Sequence, residues 1–456
     1  MRAQSTSPGQ GEHWSSGAGF VLAATGAAVG LGNIWRFSFL AGQNGGGAFV
    51  LIYIACVFVI GMPIMLAELA LGNQGGGSAV HSIRTLVART ASPGLWRLIG
   101  VLSVFIPFVG IAYYSVVGGW TVDYALQGLA GKAGSASGAA ASAGFAAMQA
   151  SPWRLLLMHS LFMTGVILVL IRGVQGGIEA VAKVLMPALF VMLAGLMAYA
   201  LVTGDAGRGL SFLFRPDFSA VTGKTVILAA GQAFFSLAIG VGIMITFGAY
   251  VPKGVSLARA VGVIALADTG VALMAGMVIF PLVFAQGLNP AGGPGLIFVT
   301  LPTAFGHMPG GAIVGAVFFL LLFFAAFTTG IGTMQPVVAW AEERPGMTRT
   351  RATLAAGLGA WAIGIAALLS FNIWKGFIPL AGVPGFAKKG IFDTLDFSIA
   401  SVLLPFNGFL IALFTGWVAA RLLRGKLGLP PLWESVWIWS LRLLVPAAIV
   451  LIAIWK

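Results

Sequence analysis

The stretch GAAVGLGNIWRF, Gly26 to Phe37, places three glycines, an asparagine and an arginine in a segment that is otherwise apolar enough to cross a membrane. Glycine in a helix interior is about 1 kcal/mol less favourable than alanine, and a charged side chain at the bilayer centre costs about 2.5 to 3.5 kcal/mol or more. We therefore expect this helix to be interrupted inside the membrane, at a place where its exposed backbone has a function.

The composition is that of a polytopic membrane protein. Of the 456 residues, 59% are hydrophobic and 8% are charged, and the mean hydropathy is +0.99. A transmembrane helix needs about 20 apolar residues, and windows of that size predict about eleven spans in an all-α protein with a single transmembrane domain, residues 1–456. The spans are predicted at 14–40, 46–72, 96–128, 152–171, 178–203, 223–250, 256–288, 311–342, 350–371, 393–420 and 433–455.

The positions of the basic residues predict the orientation. Lys and Arg are more frequent in the segments on the side of the N-terminus than in those on the opposite side, which places the N-terminus in the cytoplasm and Lys456 outside. Because topology explains most of the net charge of +13, we expect no nucleic-acid partner. The segment 131–149 is rich in Gly, Ala and Ser, and we predict that it is an external loop.

A second glycine pair interrupts the sixth predicted span. Ile239-Gly240-Val241-Gly242 repeats the alternation of Val29-Gly30-Leu31-Gly32. Paired interruptions point to a transporter's midplane site, so we expect two inverted five-helix repeats, 14–203 and 223–420, and an additional helix at 433–455. The half-helix ends would attract an anion and a cation, which suits a carboxylate and sodium. Close packing of glycine-rich helices is the alternative explanation of either motif alone.

Taken together, these motifs resemble those of the neurotransmitter:sodium symporter family, and of its bacterial amino-acid transporters in particular. The similarity extends over essentially the whole chain and is carried by HWSSGAGFVLAATGAAVGLGNIWRF, NGGGAF, AYY, GQAFFSLAIGVG and LLFFAAFTTGIGTMQP. It implies the leucine-transporter fold, with helices 1 and 6 broken, in a bacterial inner membrane. It also implies a secondary active transporter rather than an enzyme: sodium-coupled symport of a neutral, hydrophobic amino acid by alternating access.

The resemblance implies two sodium ions, each bound by hard oxygen atoms. The first set consists of a backbone carbonyl and three side chains beside the substrate carboxylate: Ala28, Asn33, Ser236 and Asp268. The second set consists of three backbone carbonyls and two hydroxyls: Gly26, Val29, Ala325, Thr328 and Thr329. The alternative for the threonine pair is that both hydroxyls bond back to a carbonyl one turn earlier in their own helix.

The same resemblance places the substrate between the two breaks. Its carboxylate would meet the backbone N–H groups of the first break and a tyrosine hydroxyl, and its ammonium would meet carbonyls of the second break. The residues expected to contact it are Ala28, Gly30, Leu31, Gly32, Gly110, Tyr114, Phe235, Ala238, Val241, Thr329 and Thr333. The absence of a charged side chain from this set favours a neutral, apolar amino acid.

The chloride site of the family's chloride-dependent branch is incomplete in this sequence. Three positions of that site match, Tyr53, Gln232 and Ser236, but the last position is Ala272. Asp268, where the family often has Asn, supplies a fixed negative charge instead. We therefore expect transport without chloride.

The resemblance also identifies residues of the gates. Arg36 is expected to pair with Asp396 in the external gate. The cytoplasmic gate would include Trp14 and an acidic group near Glu343, but the family's Arg is Gly11 here, so its partner is lost or is supplied by Arg2. We expect the membrane carboxylate Glu68 to bind the unwound N–H groups of span six, with a proton relay as the alternative role.

Other functions remain open at this stage. Proton coupling is an alternative to sodium coupling because of Asp268. A channel is less consistent with paired gates, and a membrane enzyme lacks a convergent catalytic set, since His13, His81, His159 and His307 lie in separate loops or span ends. The oligomeric state and the identity of the amino acid are not indicated by the sequence.

Overall fold

The computed structural model describes residues 12–291 and 295–454, and helices dominate this part of the chain. We number them in chain order: α1 Gly17–Ala28, α2 Gly32–Gln43, α3 Gly47–Gly75, α4 Ala79–Arg89, α5 Gly94–Leu129, α6 Gly138–Ala150, α7 Pro152–Ile171, α8 Val174–Thr203, α9 Ala206–Phe214, α10 Gly223–Ser236, α11 Ile243–Ala249, α12 Leu257–Ala285, α13 Leu296–Gly306, α14 Gly311–Glu342, α15 Arg349–Leu369, α16 Ile391–Leu423 and α17 Pro431–Ile454.

The predicted membrane spans are confirmed to within a few residues at most ends. Nine helices of the described chain are long and apolar enough to cross a bilayer, namely α3, α5, α7, α8, α12, α14, α15, α16 and α17. The pair α1 and α2, bent by 52°, adds one span. The pair α10 and α11, which flank the break at 237–242, occupies the sixth predicted span.

The prediction of a loop at 131–149 is wrong in its secondary structure, because α6 lies there. The Ser137 hydroxyl caps this helix by accepting a hydrogen bond from the Ala140 N–H at 3.1 Å. Alanine has the highest helix propensity, and Phe145 anchors the helix by packing against the rings of Trp120 and Phe298. The low complexity of the segment therefore marks a surface helix, and its small side chains are largely exposed.

The first break falls where the sequence places it. After Ala28, Val29 leaves the helical conformation with a ψ of 103°, and the Asn33 N–H returns to the Gly30 carbonyl at 3.1 Å. A Cβ atom at Gly30 would collide with the Thr329 side chain of α14. Glycine is needed at this position because another helix lies directly against the unwound backbone.

The second break contains three residues in the left-handed region. Gly240 and Gly242 have φ values of +80° and +88°, and Ala238 has +49° although it is not a glycine. A Cβ atom at Gly240 would lie 2.5 Å from the Leu404 carbonyl oxygen of α16. The backbone conformation and the close approach of α16 both explain why this segment cannot continue as a helix.

Candidate functional site

A small cavity lies between the two breaks. Its volume is about 70 Å³, and every residue predicted to contact the substrate lines it. Six further residues line it that were not predicted to contact the substrate: Ile106, Pro107, Tyr113, Ile243, Ile399 and Leu404. Most of these are ordinary apolar residues of α5 and α16, and nothing in the sequence distinguishes them from lipid-facing or core residues of the same helices.

The cavity wall is apolar apart from a few hydroxyl and backbone groups. No acidic or basic side chain is among the described residues that line it. The Tyr114 hydroxyl is buried beside Leu31 and Thr329 and forms no well-aligned hydrogen bond with a described residue. A Cβ atom at Gly110 would meet nothing within 4 Å, so the cavity has free space beside this residue.

The first predicted sodium site is a compact, fully buried polar cluster. The Asn33 amide nitrogen donates to the Asp268 carboxylate at 2.7 Å, to the Asp268 carbonyl at 3.0 Å and to the Ser236 hydroxyl at 2.8 Å. The Ser236 hydroxyl donates to the other Asp268 carboxylate oxygen at 2.5 Å. Two side chains, from α2 and α10, thus converge on one carboxylate of α12.

The Tyr53 hydroxyl and the Gly30 N–H complete this cluster. The Tyr53 hydroxyl lies 3.0 Å from the Ser236 hydroxyl and donates to Asp268 at 3.5 Å. The Asn33 amide oxygen accepts a hydrogen bond from the Gly30 N–H at 3.0 Å, so this amide turns its nitrogen to Asp268 and its oxygen to the first break. An ion beside Asp268 would be bound by the amide oxygen, so the Asn33 side chain would have to rotate about χ2 to turn that oxygen toward Asp268.

The second predicted site joins the first break to α14. The Thr329 hydroxyl donates to the Val29 carbonyl at 3.2 Å and to the Gly26 carbonyl at 3.4 Å. The Thr328 hydroxyl instead donates to carbonyls of its own helix, Phe324 at 3.0 Å and Ala325 at 3.2 Å. Back-bonding, the alternative raised for the pair, therefore describes Thr328 and not Thr329 in this structure.

Glu68 of α3 lies at the second break. It is completely buried, and one of its carboxylate oxygens accepts a hydrogen bond from the Gly240 N–H at 2.5 Å. An N–H group that has left its helix inside the membrane needs such a partner, because no water replaces the lost intrahelical bond. The position of Glu68 is therefore accounted for by the unwound backbone that it contacts.

A larger cavity of about 420 Å³ is lined in part by α2, the half of the first broken span that is farther from the N-terminus. It shares Leu31, Tyr113, Tyr114 and Phe235 with the small cavity, and Arg36 and Asp396 face it. The Arg36 guanidinium lies over the Phe235 ring at 4.4 Å from its centroid and forms no direct ion pair with Asp396. The structure thus brings both gate residues to one cavity without joining them.

On the N-terminal side the residues predicted to form a gate are packed against other helices. Trp14 is 2% exposed, and its backbone and indole N–H groups donate to the carbonyls of Tyr250 and Phe247, at 3.2 and 3.1 Å. Glu343, predicted to belong to this gate, accepts hydrogen bonds from the Ser78 N–H at 2.6 Å and the Ser78 hydroxyl at 2.7 Å.

Sequence reasoning did not predict the ion pairs of Arg349 on the N-terminal side. Arg349 contacts Glu12 at 2.8 Å and Glu342 at 3.3 Å. The acidic partner Glu12 thus lies in the segment before α1, and the basic partner Arg349 begins α15. This charge arrangement is opposite to the one expected from the family. Gly11, Arg2 and Lys456, to which other predictions refer, lie outside the described residues.

Comparison with known proteins gives consistent results. The sequence model of the Sodium:neurotransmitter symporter family matches residues 11–137 and 138–372. The uncharacterized sodium-dependent transporter YhdH of Bacillus subtilis is 34% identical over 444 residues, which is 96% of each chain. The human sodium- and chloride-dependent taurine transporter is 28% identical over 367 residues, 69% of this chain and 58% of that protein.

A solved structure is similar over the whole fold. The crystal structure of MhsT in complex with L-phenylalanine superimposes with a TM-score of 0.88 and 39% sequence identity, covering 97% of this chain and 99% of that chain.

Proposed function

From the premise that this chain belongs to the sodium:neurotransmitter symporter family, whose members include sodium-dependent transporters, we propose that it is a symporter of a neutral, hydrophobic amino acid. The observation that carries the proposal is one apolar cavity enclosed by two broken helices and flanked by two oxygen-rich clusters. We further propose that it lies in a bacterial inner membrane with its N-terminus in the cytoplasm, and that its physiological role is transport rather than catalysis.

The cavity supports an amino acid with an apolar side chain. Backbone N–H groups near Gly30 and the Tyr114 hydroxyl offer donors to a carboxylate, and carbonyls near Ala238 offer acceptors to an ammonium. The remaining wall has no charge to balance an ionic side chain, and the space beside Gly110 admits a bulky one. The related protein MhsT, crystallised with L-phenylalanine, supports the same substrate class.

The two clusters support sodium as the coupling ion. Carboxylate, carbonyl and hydroxyl oxygens are the ligands of hard cations, and both clusters lie against the first break, where carbonyls are freed from the helix. The substrate carboxylate would complete the first set beside Asp268. Binding of the ion and binding of the amino acid would then reinforce each other, which is the basis of symport.

The two cavities support access from the side opposite the N-terminus. The large cavity borders the small one at Phe235, whereas Trp14 and the contacts of Arg349 close the N-terminal side. Alternating access would then require two changes. The contacts of Trp14 and Arg349 would break, and the large cavity at Arg36 would close. Sodium released into the cytoplasm would complete the cycle.

Uptake into proteoliposomes tests this proposal. The purified protein would be reconstituted and offered radiolabelled Leu, Phe, Met, Ala, Glu and Lys, with an inward sodium gradient, with an inward proton gradient in sodium-free buffer, or with neither. We expect sodium-driven uptake of the apolar amino acids and none of Glu or Lys, with protein-free liposomes as the control. Equal uptake under the proton gradient would show proton coupling instead.

A further inference from the structure

We infer that Asn407 of α16 is a positioning residue of the substrate site, because it binds the unwound backbone of the second break from the side opposite Glu68. The inference rests on the proposed function, in which carbonyls of this break bind the substrate ammonium. No motif or comparison assigns a role to Asn407.

Both backbone polar groups of Gly240 are held by side chains of other helices. The Asn407 amide nitrogen donates to the Gly240 carbonyl at 2.8 Å, and Glu68 accepts from the Gly240 N–H at 2.5 Å. Asn407 and Glu68 are both completely buried. The two side chains thus replace the two helical hydrogen bonds that this residue loses by leaving the helix.

Asn407 also connects the break to α5. Its amide nitrogen donates a second hydrogen bond to the Ser103 hydroxyl at 3.1 Å. The Ser103 carbonyl lacks the usual donor four positions later, because that residue is Pro107. A Cβ atom at Gly242 would lie 2.5 Å from this carbonyl oxygen. One asparagine therefore links three segments around the break: α5, α16 and the unwound chain.

The same face of α16 forms part of the cavity wall. Leu404, Asn407 and Gly408 are spaced at i, i+3 and i+4, so they lie on one side of the helix. Leu404 lines the cavity, and a Cβ atom at Gly240 would approach both the Leu404 carbonyl oxygen, at 2.5 Å, and the Gly408 amide nitrogen, at 3.4 Å. A shift of this face would therefore displace Gly240 and the adjacent wall residues Ala238 and Val241.

The amide nitrogen is the atom on which this role depends. The Asn407 side-chain oxygen is buried and has no hydrogen-bond partner among the described residues, whereas the nitrogen makes both contacts. Asn407→Asp exchanges that nitrogen for an oxygen and would place an acceptor against the Gly240 carbonyl. Asn407→Leu keeps a similar volume and removes both hydrogen bonds.

The first measurement does not require a substrate. Hydrogen–deuterium exchange of the purified protein would be followed in peptides that cover residues 237–242. We expect this segment to exchange at least about tenfold faster in Asn407→Leu and in Asn407→Asp, since a buried carbonyl loses its donor. The control is Thr415→Val on the same helix, because the Thr415 hydroxyl is buried without a partner among the described residues, and we expect no change there.

The second measurement separates positioning from general stability. In proteoliposomes we expect the KM for the transported amino acid to rise about tenfold in Asn407→Asp with little change in maximal rate, and both to be unchanged in Thr415→Val. Unchanged exchange at 237–242 together with an unchanged KM in both Asn407 variants would overturn the inference. If the wild-type protein takes up no amino acid, the proposed function fails, and the exchange experiment still decides whether Asn407 holds the break.

Discussion

The two candidate cation sites lie at the same break but are built differently. At the first, the buried carboxylate of Asp268 receives hydrogen bonds from Asn33 and Ser236. At the second, every predicted ligand is neutral, and Thr329 connects the carbonyls of the first break to α14. The first candidate site thus contains a carboxyl group of its own, whereas the second is formed where two helices meet.

This difference has an electrostatic consequence for symport. Two sodium ions and a zwitterionic amino acid bring two positive charges into a site of low dielectric constant, where uncompensated charge is costly. Asp268 would offset one of these charges. The second site has no such group, so its affinity should depend on geometry and change with the distance between α1 and α14.

The largest effect is expected from removal of the charge at the first site. Asp268→Ala deletes the carboxylate ligand and removes the carboxylate acceptor of the Asn33 amide and the Ser236 hydroxyl, so we expect sodium-driven uptake to fall at least about 100-fold. The initial rate of amino-acid uptake in proteoliposomes measures this. Asp217→Ala, at an exposed carboxylate that bonds only to Ser219 among the described residues, should retain wild-type uptake. An Asp268→Ala protein with near-normal uptake would remove the first site from the account.

A smaller effect is expected at the neutral site. Thr329→Val keeps the side-chain shape and removes the hydroxyl that reaches Gly26 and Val29, so we expect the sodium concentration for half-maximal uptake to rise about tenfold. Thr328→Val should raise it less, since the Thr328 hydroxyl points to carbonyls of its own helix. Sodium titration of uptake distinguishes the two variants. The reverse order of effects would mean that Thr328, not Thr329, is the principal hydroxyl ligand.

A change in the cavity should leave both cation sites intact. Gly110→Val fills the free space beside α5, so we expect the KM for Leu, Met and Phe to rise about tenfold while the KM for Ala changes little. The sodium dependence of Ala uptake should stay at the wild-type value, because the substitution touches neither cluster. If the large and small substrates respond alike, Gly110 does not border the substrate side chain.

The sequence predicted those parts of the site whose residues are unfavourable in a continuous membrane helix. Glycine pairs, Asn33 and Asp268 stand out in apolar runs. In the structure both glycine-containing breaks line one cavity, and Asn33 and Asp268 contact each other beside the first break. Asn407 stood out less, because a single asparagine in a span has no partner until the fold places Gly240 beside it.

Other features depend on tertiary contacts that no local pattern encodes. The cavity residues Ile399 and Leu404 are typical apolar residues of a span, and only the packing of α16 against the second break turns them inward. The contact of Glu12 with Arg349 joins residues from opposite parts of the chain, so the reversed charges of this gate could not be found by inspecting the N-terminal motif alone. α6 was missed because its composition resembles a linker.

The smallest effect is expected from the removal of chloride. Two of the three positions that match the chloride site contact a carboxylate here: the Tyr53 and Ser236 hydroxyls lie 3.5 and 2.5 Å from Asp268. The third, Gln232, donates to the Gly32 carbonyl at 2.8 Å. Ala272, one helical turn further along α12, has no group that could bind an anion. We therefore expect wild-type uptake to be unchanged when gluconate replaces chloride.

We expect the fixed charge of Asp268 to do at the first site what chloride does in chloride-dependent relatives. The most direct test of this expectation is sodium-driven uptake, with chloride or with gluconate, by the wild type and by Asp268→Asn combined with Ala272→Ser. We expect equal wild-type rates in both anions and a double variant that transports only with chloride. A wild-type protein that stops transporting in gluconate would contradict it.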